Sequence, residues 1–223
     1  MNRDLFTLSP RDQAIHTLHA ATAIYTREPV VDDLLDAVDW PRGKRRLVDP
    51  SCGDGVFLGR ALVRLLREEP DIDGDTLVDV LQGWELHPGA AQHSRERVAE
   101  ILEEHGWCAT MAAAIATRLV RHADFLTQGP TTPYCHVIAG NPPYLRWANV
   151  PALLREEYAA ALPQHAVADL LHSFLDRCAS ALLPDGEVAL VTADRWLFNL
   201  GASKLREAID RKSTRLNSSH RIR

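Results

Sequence analysis

The run Asn141-Pro142-Pro143-Tyr144 is the segment of this sequence best equipped for chemistry. Consecutive prolines hold the chain extended and disfavour helix at the residue before each. Asn141 and the Pro142 carbonyl then face one way in a stiff frame. An exocyclic amine on a heterocycle is a poor nucleophile, because its lone pair is delocalised into the ring. Two fixed acceptors, the Asn141 side-chain oxygen and the Pro142 carbonyl, bind both its hydrogens and favour the pyramidal geometry that frees the lone pair. Tyr144 offers a face on which the ring can stack. The same four residues also describe a rigid loop with Tyr144 as packing, so other groups must decide between the two.

Three other places carry acids where a ligand can meet them. Asp49-Pro50-Ser51-Cys52-Gly53-Asp54-Gly55 puts small residues after an apolar run and before a helical one. Gly53 and Gly55 allow a tight turn and close approach of a ligand to backbone. No Gly-Lys-Ser/Thr follows, and Asp49 and Asp54 repel a polyphosphate, so a cationic or hydroxyl-bearing ligand suits the turn better. Glu85 closes the next apolar run, at a position where an acid takes ribose hydroxyls. Asp124 and Phe125 follow the third, an acceptor for an adenine amino group beside an apolar wall. Each acid alone reads equally as a solvated loop residue; three successive run ends so equipped describe a nucleoside pocket.

The elements that must position these groups alternate. Apolar runs at Arg46 to Val48, Val80 to Leu86, Arg118 to Val120, His136 to Ala139 and Glu187 to Thr192 predict strands. Helical stretches at Val56 to Arg67, Gly89 to His105 and Leu170 to Leu183 lie between them, with Leu154 to Ala161 as an excursion after the fourth strand. That rhythm predicts an α/β, doubly wound, Rossmann-like parallel sheet. Two helices, Pro10 to Ala23 and Pro29 to Val38, precede it. Asp71 to Asp75 is expected to be a solvated turn, since the later bidentate acid of a calcium loop is missing.

Composition narrows the class. With 223 residues, 46% hydrophobic and 25% charged, the chain has enough apolar material for one sizeable core, which excludes disorder. No run of about 18 apolar residues is present, and the start lacks a signal-peptide pattern; a cytoplasmic protein with no membrane partner is expected. Cys52, Cys108, Cys135 and Cys178 show no Cys-x-x-Cys spacing, so reduced thiols are expected. The histidines read as scattered, with His16-x-x-His19 on a helix surface, and no metal is expected.

Taken together, Asp49 to Gly55, Glu85, Asp124-Phe125 and Asn141-Pro142-Pro143-Tyr144 resemble the bacterial N6-adenine-specific DNA methyltransferases of restriction-modification systems, with the gamma-type motif order and the class I fold. Tyr25-Thr26 is similar to the segment that precedes the glycine loop in that family; many members have Pro directly after the Thr, whereas here Arg27-Glu28 intervene. The resemblance spans roughly Tyr25 to Trp196. It implies that Tyr25, Thr26, Asp49, Pro50, Gly53, Gly55, Glu85, Asp124 and Phe125 hold S-adenosyl-L-methionine. It implies further that Asn141, Pro142, Pro143 and Tyr144 receive a flipped adenine from double-stranded DNA, with Asn141, Pro142 and Tyr144 catalytic. A cognate restriction endonuclease or specificity module is an implied partner. Release-factor glutamine methyltransferases share Asn-Pro-Pro-Tyr and form the alternative. A second alternative is an inactive cofactor-binding fragment.

The last alternative arises at the C-terminus. Asp210 to His220 resembles the translation of a sequencing-library adapter, and Asp210 to Arg223 follows neither helix nor strand period. The expected organisation is therefore a helical segment over 1–40 that contributes to the cofactor site, a truncated catalytic domain over 41–209 whose sheet the resemblance implies is incomplete at its C-terminal edge, and a non-native tail over 210–223. Without that tail the formal charge falls from -5 to -9, because five basic residues leave with one acid. So acidic a body is no general polyanion binder. Most of the grip on DNA is expected from a missing C-terminal region, and the chain by itself is expected to be inactive.

Overall fold

The computed structural model describes residues 8–24 and 26–212. Tyr25, expected at the cofactor, and 213–223 of the expected tail lie outside the described residues. The chain begins with helices α1 (Pro10–Thr22) and α2 (Glu28–Ala37), then strand β1 (Leu47–Asp49), helices α3 (Val56–Glu68) and α4 (Gly74–Val80), and strand β2 (Leu81–Glu85). Helices α5 (Pro88–Glu104) and α6 (Ala109–Leu119), strand β3 (Val120–His122), the short α7 (Phe125–Gln128) and strand β4 (Cys135–Gly140) follow. Helices α8 (Ala152–Ala161) and α9 (Leu170–Ala181) lead to β5 (Leu182–Leu190), the short α10 (Arg195–Phe198) and α11 (Ser203–Lys212).

Among the described residues the five strands are all parallel, in the order β3-β2-β1-β4-β5. The order reverses direction at β1, which makes the β1/β4 boundary the switch point of the sheet. There the connections after β1 and β4 leave to opposite faces and open a crevice at the strands' carboxyl ends.

Strand alternation divides the interior in two. Leu47, Val137 and Ala139 point into a core shared with α2 to α6, while Val48 and Ile138 point into a second core shared with α1, α7, α8, α9 and α11. A parallel strand buried on both faces reads as a continuous apolar run, and this is why Leu47-Val48 and Val137-Ile138-Ala139 were legible. In α3, Phe57, Leu58, Ala61, Leu62, Leu65 and Leu66 recur at helical spacing and are all buried.

Several boundaries differ from expectation. Arg118 belongs to α6, so the third strand starts at Val120. The cause is a helical stripe, Ala112, Ile115, Ala116 and Leu119, all buried, which carries the helix to the strand's edge. Asp73 is exposed, as expected of a solvated turn, and also caps α4, accepting from the Asp75 and Thr76 amides at 3.0 and 2.9 Å. Helix α9 stops at Ala181 and β5 begins at Leu182, whose pairing skips from Leu182 opposite Cys135 to Glu187 opposite Val137. The intervening Leu183-Pro184-Asp185-Gly186 bulges out, with Asp185 at φ 64°. Helix α11 runs from Ser203 to Lys212, with Leu205, Ala208 and Ile209 buried.

Candidate functional site

Most of the groups read from the sequence converge on one cleft at the carboxyl ends of the strands, whereas Pro142 and Tyr144 stand outside its lining. It is lined by Thr26, Asp49, Pro50, Gly53, Glu85, Asp124, Phe125 and Asn141, among others. Gly55 sits directly behind, as the residue before α3, at φ 83°; a Cβ there would stand 2.6 Å from Ser94 Oγ. Only glycine fits both that backbone and that approach of α5.

Each acid is held differently. Glu85 is clamped by backbone: Oε2 accepts from the Gly53 amide at 2.9 Å and Oε1 from the His87 amide at 2.8 Å. This ties the glycine turn after β1 to the end of β2. Asp49 is 1% exposed, and its Oδ1 accepts from the Ser51 amide at 3.1 Å. Gly140, at the end of β4, lies so close that a Cβ there would meet the same oxygen at 2.5 Å. Asp124 caps α7 by accepting from the Leu126 amide at 2.9 Å through Oδ1, whereas Oδ2 is buried with no hydrogen-bond partner among the described residues.

Burial raises all three acids. It pushes the Asp49 carboxyl up to about 8, opposed by the Ser51 hydrogen bond and reinforced by Glu85 and Asp54. Burial also raises Glu85 and Asp124, each opposed by its backbone donors. Buried acids displaced upward in a cleft are favoured in their ionised form by any cation or hydrogen-bond donor that approaches them. A ligand with a positive centre and hydroxyl and amine donors suits three such acids. The orphaned Asp124 Oδ2, with Phe125 behind it, fits an adenine edge and face.

The Asn-Pro-Pro-Tyr segment leaves β4 beside Asp49. Asn141 and Pro143 face the cleft, and Pro142 is buried. The Asn141 amide is held at both ends: Nδ2 donates to Thr26 Oγ1 at 3.0 Å, and Oδ1 accepts from the Tyr144 hydroxyl at 2.6 Å. That hydroxyl also lies against the Val191 carbonyl. The chain after β5 therefore adjoins the segment too. Tyr144 is half-buried, and burial raises its phenol, so it remains a donor at neutral pH.

Sequence reasoning missed part of the lining. Phe174 of α9 stacks on Phe125 with ring centroids 6.3 Å apart, and Phe125 meets Trp84 edge to face at 5.7 Å. Ile15, Leu18 and His19 of α1, and Tyr158 of α8, also reach the cleft. Their helical spacing marks them as buried, but nothing local marks which core they enter.

The histidines are not scattered. His19 stacks on His87 at 3.9 Å between centroids, and His87 Nε2 lies 2.8 Å from His16 Nδ1. His87 Nδ1 accepts from the Ala90 amide at the start of α5, so its proton sits on Nε2, facing His16. Among the described residues, no group of three or more His, Cys, Asp or Glu is arranged to hold a metal. Cys52, Cys135 and Cys178 are buried thiols and Cys108 is an exposed one.

The Eco57I restriction-modification methylase family matches residues 122–218, which include Asp124-Phe125 and the Asn-Pro-Pro-Tyr segment. The type II methyltransferase M.PaeR7I of Pseudomonas aeruginosa is 34% identical over 202 residues, 86% of this chain and 35% of that protein. The chain is therefore similar to the restriction-modification methyltransferases over most of its own length. M.XhoI of Xanthomonas vasicola, another type II methyltransferase, is 30% identical over 84% of this chain and 36% of its own length. The chain thus spans about a third of the length of these relatives. In fold, the chain is similar to the M protein of the type I restriction enzyme EcoKI. That likeness has a TM-score of 0.59 at 21% identity, over 82% of this chain and 36% of that one. A nuclease-deletion mutant of the type ISP enzyme LlaGI, solved with a DNA substrate mimic, aligns with a TM-score of 0.53 at 17% identity over 92% of this chain and 24% of that one. Among the described residues, no helix is long and apolar enough to cross a membrane.

Proposed function

We propose that the protein transfers a methyl group from S-adenosyl-L-methionine to the N6 amine of adenine in double-stranded DNA, in the bacterial cytoplasm. The observation that carries this reading is the shared cleft: Asn141 and Pro143 line the same cavity as Asp49, Glu85 and Asp124. A bound nucleoside and an inserted base are then neighbours. Bound S-adenosyl-L-methionine supplies an electrophilic methyl on a sulfonium.

The protein's own residues do the rest. Glu85, clamped by two amides, offers its remaining lone pairs to ribose hydroxyls. Asp124 Oδ2 takes an adenine amine, and Phe125 with Phe174 forms the apolar wall beside it. Asp49 gives a negative centre near the positive one. Asn141 Oδ1 and the Pro142 carbonyl accept the two hydrogens of the target amine, and Tyr144 stacks on the ring. The base must leave the duplex to reach this cleft.

The chain's formal charge of -5 supports a grip on DNA made mainly outside this domain. A specificity module or a cognate endonuclease fits that requirement, and the domain alone is proposed to turn over negligibly.

The test is incubation of the full-length protein with methyl-labelled S-adenosyl-L-methionine and duplexes containing or lacking adenine, followed by nucleoside analysis. N6-methyladenine in the first duplex alone is the expected result. Label in cytosine, or only in release factor offered as a competing substrate, overturns the assignment.

A further inference from the structure

Helix α5 meets the glycine turn along one face. Ser94, Arg97 and Ile101 share that face at helical spacing. Each stands against a glycine: a Cβ on Gly55 would lie 2.6 Å from Ser94 Oγ, and one on Gly59 would lie 3.2 Å from Arg97 Cδ and 3.0 Å from Ile101 Cδ1. The bare Gly59 thus lets the Arg97 stem lie against α3, and its guanidinium ends on Asp54. There Nε donates to the Asp54 carbonyl at 3.0 Å, and Nη2 lies 3.6 Å from Asp54 Oδ2. Asp54 lines the cleft, whereas Arg97 stands outside the lining. Asp49, Glu85 and Asp124 line it too, and among the described residues Asp54 is the one of these four acids that forms a salt bridge.

We propose that Arg97 is a positioning residue of the cofactor turn: it holds Asp54 and offsets its charge, so that the carboxylate-bearing amino-acid end of a nucleoside ligand can lie over Gly53-Asp54-Gly55. The inference rests on the cofactor reading above and extends it to a residue outside every motif seen in the sequence.

The reason for a cation behind the turn lies in the ligand and in the sheet. S-adenosyl-L-methionine carries a carboxylate as well as an ammonium and a sulfonium. Neighbouring strands set its subsites in a row: β3 leads to Asp124, β2 ends in Glu85, β1 leads into the glycine turn and β4 into Asn141. With the adenine at Asp124 and the ribose at Glu85, the amino-acid end lies over the turn, on the way to Asn141. Asp49 suits its ammonium. An unpaired Asp54 would repel its carboxylate, and Arg97 supplies the counter-charge from outside the lining. The bond to the carbonyl adds a second effect. Gly53 and Gly55, on either side of Asp54, have φ of 55° and 83°, and such permissive flanks leave the peptide between them free to turn unless a side chain fixes it.

The test is calorimetric titration of the full-length protein with S-adenosylhomocysteine and, beside it, 5′-methylthioadenosine, which keeps the nucleoside and the thioether but lacks the amino-acid end. Arg97→Gln should weaken S-adenosylhomocysteine about tenfold, the scale of one charge-assisted contact at a partly exposed site. It should change 5′-methylthioadenosine by less than about twofold, since that ligand brings no carboxylate to the turn. Adding Asp54→Asn to Arg97→Gln should restore S-adenosylhomocysteine to within about threefold of the parent, because the repelling charge is then gone. Should Arg97→Gln fold poorly, Asp54→Asn alone still decides: with Arg97 left unopposed below the carboxylate, it should bind S-adenosylhomocysteine at least as tightly as the parent. An equal loss of both ligands in Arg97→Gln, no recovery in the double variant, or weaker S-adenosylhomocysteine binding by Asp54→Asn overturns the role of Arg97 alone. Absence of S-adenosylhomocysteine binding by the unaltered protein overturns the cofactor reading itself, a different result.

Discussion

Asn141 and Tyr144 bind each other: the Tyr144 hydroxyl donates to Asn141 Oδ1 at 2.6 Å, the same oxygen proposed to accept from the target amine. The amide is thereby aligned before any base arrives, with Thr26 holding the opposite end at 3.0 Å. Prealigned acceptors cost no reorganisation during the reaction. Asn141→Ala in the full-length protein should lower kcat by about 10²–10³-fold, the range found when one preorganised polar group is removed. S-adenosylhomocysteine affinity should change less than threefold, an estimate of the order expected for a group that touches the base and not the cofactor. Steady-state kinetics beside calorimetry check this, and an unchanged kcat removes Asn141 from the chemistry.

The same contact gives Tyr144 two separable duties. Its single proton cannot serve both Asn141 Oδ1 and the Val191 carbonyl, so the hydroxyl is dispensable to one of them at any moment. Stacking requires only the ring. Tyr144→Phe should therefore keep kcat within about fivefold, since one net hydrogen bond contributes about 1 kcal/mol. Tyr144→Ala should raise the apparent KM for DNA by roughly tenfold or more, as stacking contributes about 1–3 kcal/mol per base. Equal losses in both variants would show that the hydroxyl, and not the ring, is what matters.

Asp49 yields a pH dependence. Its carboxyl is pushed up to about 8 by burial, against an ordinary value of 3.8, so in the free protein it is largely neutral at pH 7. A cationic ligand requires the ionised form. Affinity for S-adenosyl-L-methionine should therefore rise with pH up to about 8 and then level off, and Asp49→Asn should flatten the curve at low affinity. Stability moves the other way. A carboxyl raised in the fold contributes most below pH 3.8 and loses that contribution as pH climbs from 3.8 to about 8. Asp49→Asn should gain thermal stability relative to the parent across that window. At pH 9 the gain should be roughly 5 °C or more, given about 2–4 °C per kcal/mol for a chain of this size. Melting curves at pH 5, 7 and 9 test it, and a constant difference at all three contradicts it.

How much of this was legible in the residues depends on the distance over which each signal acts. Asp49, Glu85 and Asp124 stand at the ends of apolar runs, and a parallel sheet necessarily brings such ends together, so the cleft followed from local pattern and one topological rule. The Ala112, Ile115, Ala116 and Leu119 stripe of α6 was equally local and was overlooked because alanine contributes little to an apolar run. Phe174 and Tyr158 are of another kind. Periodicity places each on the buried face of its helix, but only the packing of α8 and α9 over the second core turns them toward Asp124-Phe125. The pairing of His16 with His87 crosses 71 residues and needs α1 to fold over the end of β2.

That histidine cluster makes the last prediction. His87 Nδ1 accepts from the Ala90 amide at the start of α5, so a proton there would break the cap and add a positive charge at a helix N-terminus, where the backbone field is already positive. Burial and the neighbouring His19, His16, His122 and His93 push its imidazole down to about 4 from 6.5. His19 is lowered too, by burial and by His16. A histidine depressed in the fold takes up its proton first in the unfolded chain. Its contribution to stability is complete above pH 6.5 and is lost as pH falls from there toward about 4. His87→Asn keeps an oxygen that can cap α5 and removes the titration. The variant should cost little at pH 8, about 1 kcal/mol or less for an exchange of caps. Its melting temperature should then fall less steeply than the parent's between pH 6.5 and 4.5, and because Asp49 is common to both proteins, its opposite trend cancels in the difference. Parallel slopes in thermal melts over that interval would mean that His87 is not the group whose protonation loosens this end of the cleft.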